Sequence, residues 1–355
     1  MDTFVAMFEN QNNRTELSKL GEFGLIRHIR ESVNLINPGS LKGIGDDAAV
    51  IDNGPGQTVV TTDMLLEGVH FDLAYTPLKH LGYKAVVVNI SDLCAMNAQP
   101  RQIVTSVAIS NRFSLEAVEE LYEGILMACE RYGVDLVGGD TCSSQAGLVI
   151  SITAIGHATG EDVVYRNQAK VNDLICVTGD LGAAYMGLQL LNREKKIFLE
   201  NPSAQPDLQG FDYVLERQLK PEARLDMIRK FKTWYLKPSS MIDISDGLAS
   251  EVLHLCNESN VGCQIYEEKI PIDHLTQELG RELGLDPTMA ALNGGEDYEL
   301  LFTLPLSEYE KIKERGEISI IGHITDAAAG YSFIDKQNNS HPLTAQGWDA
   351  FKTNN

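Results

Sequence analysis

The chain has 355 residues, 43% of them hydrophobic and 22% charged, proportions that suit a soluble globular protein long enough for two cores. A formal net charge of −21 opposes sequence-independent binding of nucleic acid. No apolar run reaches membrane-spanning length and the N-terminal region holds no signal-peptide core. Cys94, Cys129, Cys142, Cys176, Cys256 and Cys263 form no C-x-x-C pair. The cytoplasm is the expected location, with buried, reduced thiols.

Residues 1–20 are polar, and Phe23, Ile26 and Ile29 then recur at helical spacing before a turn through Asn37, Pro38 and Gly39. Val59 and Val60 lead a strand into Thr61, Thr62 and Asp63. Leu81, Ala85, Val88 and Leu93 predict a helix over 78–98, followed by a strand at 103–109. Ser114 caps a helix reaching Tyr132, with Glu116 and Glu119 at its positive end. A short strand at 134–137 delivers Gly138, Gly139 and Asp140, and further strands are expected at 148–155 and 174–178. Residues 192–221 are charged, contain Pro202, Pro206 and Pro221, and read as an exposed excursion of weak periodicity. Beyond them come strands at 241–244, 262–266, 298–303 and 318–321, alternating with helices at 246–257, 274–283 and 307–314. The pattern lacks a strict βαβ rhythm, so the expected class is α+β, with helices stacked on mostly antiparallel sheet. Gly160, Asn167 and Asn172 place a boundary near 158–172, giving one domain over 1–160 and a second over 161–355.

Five segments place carboxylates at strand ends or glycine turns: Asp46-Asp47, Thr61-Thr62-Asp63, Ser91-Asp92, Gly138-Gly139-Asp140 and Asp243-Ile244-Ser245-Asp246. A cap or a turn explains any one of them. Five predict a converging acidic site, whose mutual repulsion calls for a hard divalent cation with oxygen ligands, Mg²⁺. Several Mg²⁺ ions in one cleft suit a polyphosphate. Thr61 shares a strand face with Asp63, and His70 follows in a glycine-containing loop. Asp92 sits among apolar residues, and the Gly139 amide can face a phosphate. Asp243 and Ser245 share a face, with Ser245 or Asp246 capping the next helix. Glu296, at the Gly294-Gly295 turn, is the acid there best placed to face a cleft. Arg166 fits either a phosphate clamp or an ordinary surface arginine. The P-loop, the Rossmann fingerprint and the protein-kinase motif set are all missing.

Taken in order over nearly the whole chain, these motifs resemble the thiamine-monophosphate kinase family. The match runs through Gly-Ile-Gly-Asp-Asp-Ala at 43–48, Thr-Thr-Asp-Met-Leu-Leu-Glu-Gly-Val-His-Phe at 61–71 and Leu-Gly-Tyr-Lys-Ala at 81–85. It continues with Asn-Ile-Ser-Asp-Leu at 89–93, Leu-Val-Gly-Gly-Asp-Thr at 136–141, Asp-Ile-Ser-Asp-Gly-Leu at 243–248 and Gly-Gly-Glu-Asp-Tyr-Glu-Leu at 294–300. The resemblance implies a two-domain fold that dimerises through its N-terminal sheets into a barrel. It implies that Asp47, Thr61, Thr62, Asp63, Asp92, Asp140, Asp243 and Asp246 hold several Mg²⁺ ions. Tyr122, Gly139, Asp140, Arg166 and Ser245 would contact ATP, and His70, Glu296 and Trp348 would line a thiamine phosphate site. The implied reaction is in-line transfer from ATP to thiamine phosphate, whose anionic oxygen needs no side-chain base. Two rivals stay open: a sister synthetase that activates a carbonyl or selenide, and a non-catalytic cation-binding dimer of the same fold.

Overall fold

The computed structural model describes residues 40–42, 46–47, 49–52, 55–110, 113–145, 147–203 and 205–346. The helix expected around 22–32, the turn at 37–39 and Trp348 lie outside the described residues.

Period-two alternation builds the first sheet. In β3 (Gln57–Leu66), Val59, Thr61 and Leu65 are buried while Thr62 and Met64 are exposed. The same alternation buries Ile103, Thr105 and Val107 of β4 (Gln99–Ile109) and Ile150, Ile152 and Ala154 of β6 (Val149–Ala158). With β1 (Ser40–Lys42), β2 (Ala49–Ile51) and β5 (Asp135–Ser143) the strand order is β1-β2-β3-β6-β4-β5. Every pair is antiparallel except β4–β5. The apolar face carries α1 (Leu78–Ala95) and α2 (Leu115–Tyr132). A Cβ on Gly82 would stand 2.0 Å from the Leu121 carbonyl oxygen, and one on Gly124 would stand 1.9 Å from that of Lys79. Glycine at both positions lets the helix backbones meet. α1 stops at Ala95, short of the expected 98, because Asn97 turns left-handed at φ 55°. Ser114 caps α2 as expected, its hydroxyl accepting the Ala117 N–H.

The second sheet comprises β7 (Leu174–Thr178), β8 (Ser240–Asp243), β9 (Gly262–Tyr266), β10 (Leu300–Leu304), β11 (Ile318–Thr325), β12 (Tyr331–Ile334) and β13 (Ser340–Pro342). Its order is β13-β12-β9-β11-β7-β10-β8, parallel only at β9–β12. β7, β8 and β10 are buried at every position, as strands covered on both faces must be. One face packs on α6 (Leu248–Ser259) and α8 (Pro287–Asn293). The other joins the first half's core: Cys176, Met241 and Phe302 cluster with Leu81 and Ile90 of α1 and with Phe231 of α5 (Leu225–Thr233).

Residues 192–221 are more ordered than their composition suggests. They contain the end of α3 (Ala183–Glu200) and all of α4 (Asp212–Leu219), with Pro202 and Pro206 in the connection. Met186, Leu190 and Val214 pack with Leu279 of α7 (His274–Leu283), a contact that hides the period under charged outer faces. The expected helix at 307–314 is a 3₁₀ turn at Leu306–Glu308 followed by α9 (Tyr309–Ile312). All six cysteines are free, and Cys142, against expectation, is exposed on β5.

Candidate active site

Three elements deliver the acids. α1 carries Lys84, Val88 and Asp92 at i, i+4 and i+8, one above another on the helix face that lines the cleft. β3 contributes Thr61 and Asp63, and β8 ends at Asp243. Asp47, Asp92 and Asp243 each place a carboxylate oxygen within 4.8 Å of the others. The Thr61 hydroxyl donates to Asp92 Oδ2 at 2.5 Å and the Ser91 hydroxyl to Asp243 Oδ2 at 2.5 Å. Arg166 Nη2 pairs with Asp47 Oδ1 at 2.5 Å and its Nε with Asp46 Oδ1 at 3.2 Å. Arg166 is therefore no ordinary surface arginine; its side chain is 14% exposed and braces the cluster.

One guanidinium does not balance these charges. Burial pushes Asp47, Asp92 and Asp243 above the usual carboxylate range, and neighbouring carboxylates push Asp47 and Asp92 further. Asp63 is pushed up to about 6, first by burial and then by Asp243. The second oxygen of Asp47 is buried with no hydrogen-bond partner among the described residues. Hard oxygen donors this close, one of them unsatisfied, fit a divalent cation such as Mg²⁺.

From this acidic end a cleft of about 520 Å³ runs past Val69, Phe71, Tyr75, Leu188 and Leu219 to Lys84 and Glu296. Glu296 Oε1 lies 2.8 Å from Lys84 Nζ, and its Oε2 accepts from Gln218 Nε2 at 2.8 Å. Lys84, only 3% exposed, also donates to the Gln218 carbonyl at 3.1 Å. The turn that aims Glu296 is unusual. Gly295, Glu296 and Tyr298 all have positive φ, at 71°, 59° and 51°. Each non-glycine residue held there costs about 1–3 kcal/mol. Backbone hydrogen bonds from Glu296 to the Ser245 carbonyl and from Tyr298 to the Ile244 carbonyl hold the turn against the acid-bearing segment. A Cβ on Gly295 would lie 2.4 Å from the Ser245 carbonyl oxygen, so that approach requires glycine. The positive φ values also delay β10 to Leu300, beyond the expected start at 298.

His70 lines the cleft, and its Nδ1 accepts the Leu66 N–H at 3.1 Å, leaving the proton of the neutral ring on Nε2. Burial holds its pKa below 6.5, with Glu296 opposing. Ser245 and Asp246 also line the cleft, but neither side chain caps α6; Gly247, at φ 109°, takes the cap position and starts the helix at Leu248. α3 and α4 wall the opening through Leu188, Asn192, Gln218 and Leu219, and Lys195 pairs with Asp72 beside it.

Other predicted residues are not gathered here. Thr62 faces away from α1 and accepts a hydrogen bond from Thr153. Asp140 pairs in register with Ser106 on that same outer face, exposed on the edge strand, roughly three strand spacings or 14 Å from β3. Gly139 lies against Thr105, where a Cβ would be 2.1 Å from the carbonyl oxygen. Tyr122 is half-buried on α2 against the core. Lys84 and Gln218 were missed, although a lysine directly before the apolar run Ala85-Val86-Val87-Val88 was a readable signal.

Residues 45–158, which carry most of the first sheet and part of the acid-lined cleft, match the family described as AIR synthase related protein, N-terminal domain. The chain is 34% identical to thiamine-monophosphate kinase of Bacillus subtilis (strain 168) over 342 residues, covering 94% of this chain and 100% of that protein. It is 34% identical to the Aquifex aeolicus (strain VF5) enzyme of the same name, covering 94% and 99%. A solved structure described as AaThiL complexed with AMPPCP and TMP superposes with a TM-score of 0.80 at 31% identity, covering 95% of this chain and 99% of that one. The chain belongs to the thiamine-monophosphate kinase family and is a phosphotransferase of that class.

Proposed function

We propose that the protein transfers the γ-phosphoryl group of ATP directly to the phosphate of thiamine phosphate, giving thiamine diphosphate and ADP. The observation that carries this reading is the cleft itself, with Asp47, Asp92 and Asp243 converging at one end and Lys84 fixing Glu296 at the other. A relative of the same family is described with a nucleotide analogue and TMP bound together, which supports two substrates in one site. Asp47, Thr61, Asp63, Asp92, Asp243 and Asp246 would hold Mg²⁺ ions, which when bound neutralise the polyphosphate.

The remaining work falls to this chain's residues. An oxygen of the acceptor phosphate forms the new bond to γ-phosphorus as the bond to the β-bridging oxygen breaks. That oxygen is already an anion, so no side chain has to remove a proton. Glu296, oriented by Lys84 and Gln218, and neutral His70 position the heterocycle, with Trp348 as the further aromatic partner. α3 and α4 exclude water from the cleft, while Arg166 and Ser245 approach the nucleotide. The outer face of the first sheet carries exposed Met64 and Val137 beside Asp140, and a homodimer through that face is the assembly we favour. It would bring Gly139, Asp140 and Thr62 to a shared nucleotide site. No helix among the described residues is long and apolar enough to cross a membrane. The cytoplasm is the compartment we propose.

Product analysis with ATP, Mg²⁺ and either thiamine phosphate or thiamine tests the reading. Thiamine diphosphate is expected from the phosphate alone. Nucleotide binding without product from either acceptor would favour a sister synthetase. Label from γ-labelled ATP retained on the protein would exclude direct transfer.

A further inference from the structure

A second cavity of about 310 Å³, apart from the acid-lined cleft, is walled by Arg131, Arg217, Arg224 and Arg229 together with Glu222, Asp226 and Glu299. In a chain of net charge −21, four guanidiniums facing three carboxylates reverse the general balance. The carboxylates are already served. Glu299 accepts from Arg217 at 2.9 Å, Arg224 at 2.6 Å and Thr178 at 2.5 Å. Glu222 accepts from the Tyr83 and Tyr132 hydroxyls at 2.6 and 2.7 Å and from Arg131 Nε at 3.3 Å. Asp226 accepts from Arg224 and Lys230.

The surplus is on the donor side. Among the described residues, Arg131 pairs with its carboxylate through Nε alone, and its side chain, 64% exposed, stands on the cavity wall with the two terminal nitrogens of its fork unpaired. Among the described residues, no carboxylate pairs with the guanidinium of Arg229, which is exposed at the rim. Planar guanidinium forks with unspent N–H groups around one concavity are the chemistry that recognises a phosphate dianion. We propose that this cavity is a second anion site, which binds inorganic phosphate or the phosphate of a small monoester. The proposal does not depend on which phosphoryl acceptor the cleft takes.

The test is calorimetric titration of the full-length protein with inorganic phosphate, and separately with glycerol phosphate, in excess EDTA. Without metal, the acids of the cleft repel anions, so that site is silent. Saturable binding is expected, and the tighter of the two probes identifies the source of the phosphoryl group. Arg131→Gln/Arg229→Gln should weaken it by roughly tenfold or more, since each loses a charge-assisted hydrogen bond. Both side chains reach solvent, so the fold does not rest on them, and Arg131→Lys/Arg229→Lys should recover part of the affinity. No saturable binding of either probe, or equal affinity in the glutamine variant, would overturn the proposal.

Discussion

Two nests of buried acids adjoin at the ends of β8 and β10, where the Ile244 N–H donates to the Glu299 carbonyl. Around Asp243, three carboxylates face one another and Arg166 is the guanidinium that braces them. Around Glu299, Arg217 and Arg224 occupy both carboxylate oxygens, and both oxygens of Asp297 accept the Gly182 N–H. Even there burial pushes Asp297 up to about 7, against the pull of Arg217. The second nest is closed by the chain's own donors, whereas the first awaits a charge from outside. Equal burial thus serves two ends, and the supply of donors tells them apart: a saturated acid holds elements together, and an unsaturated cluster is suited to a ligand.

Substitutions should separate the two nests. Asp92→Asn is expected to lower phosphoryl transfer by about a thousandfold while leaving metal-free stability unchanged or improved, because it removes buried repulsion. A loss of folding in urea would place Asp92 with the structural nest instead. Arg224→Ala should do the reverse, destabilising the fold by about 1.5–3 kcal/mol by taking one of two guanidiniums from buried Glu299, as read from the urea midpoint. Mg²⁺ at a hundredfold over its dissociation constant should stabilise the wild type by about 2.7 kcal/mol, seen as a rise in Tm. Asp92→Asn/Asp243→Asn should show little of that rise, and an equal rise would move the metal elsewhere.

Smaller effects belong to the far end of the cleft. Lys84→Met should raise KM for thiamine phosphate about tenfold with KM for ATP unchanged, and Lys84→Arg should retain part of the affinity. Equal changes in both constants would make Lys84 a structural residue. The pH dependence of His70 has a definite sign. Burial holds its folded pKa below 6.5, so as pH falls through 6.5 the unfolded or displaced ring takes up a proton first and the neutral, ordered ring is lost. Acceptor KM should therefore rise a few-fold below pH 6.5, and His70→Asn should abolish that limb.

Much of this was legible because acids at strand ends are local features. Asp63, Asp92 and Asp243 stood out against apolar runs, and the structure brings Asp92 and Asp243 together with Asp47. What local pattern could not show was sidedness. Thr62 and Asp140 carry the same kind of signal as their neighbours, yet alternation and the β4–β5 pairing turn them to the opposite face of the sheet. Long-range partners were equally hidden. Nothing near Lys84 announces Glu296 or Gln218, and nothing near Glu299 announces Arg217 and Arg224. The helices α3 and α4 were obscured because their charged outer faces dominate composition while only a narrow stripe meets α7.

The stripe of Lys84, Val88 and Asp92 along α1 has one more consequence. Eight residues of helix span about 12 Å, and that length is set by helical rise, one of the least adjustable quantities in a protein. The cleft is in effect gauged by a rigid ruler, with an ammonium group at one mark and a carboxylate at the other. The turns at 67–72 and 294–298 can change what is recognised at either mark, but they cannot change the distance between them. An acceptor shorter or longer than that interval would fail to reach both ends at once, whatever its functional groups.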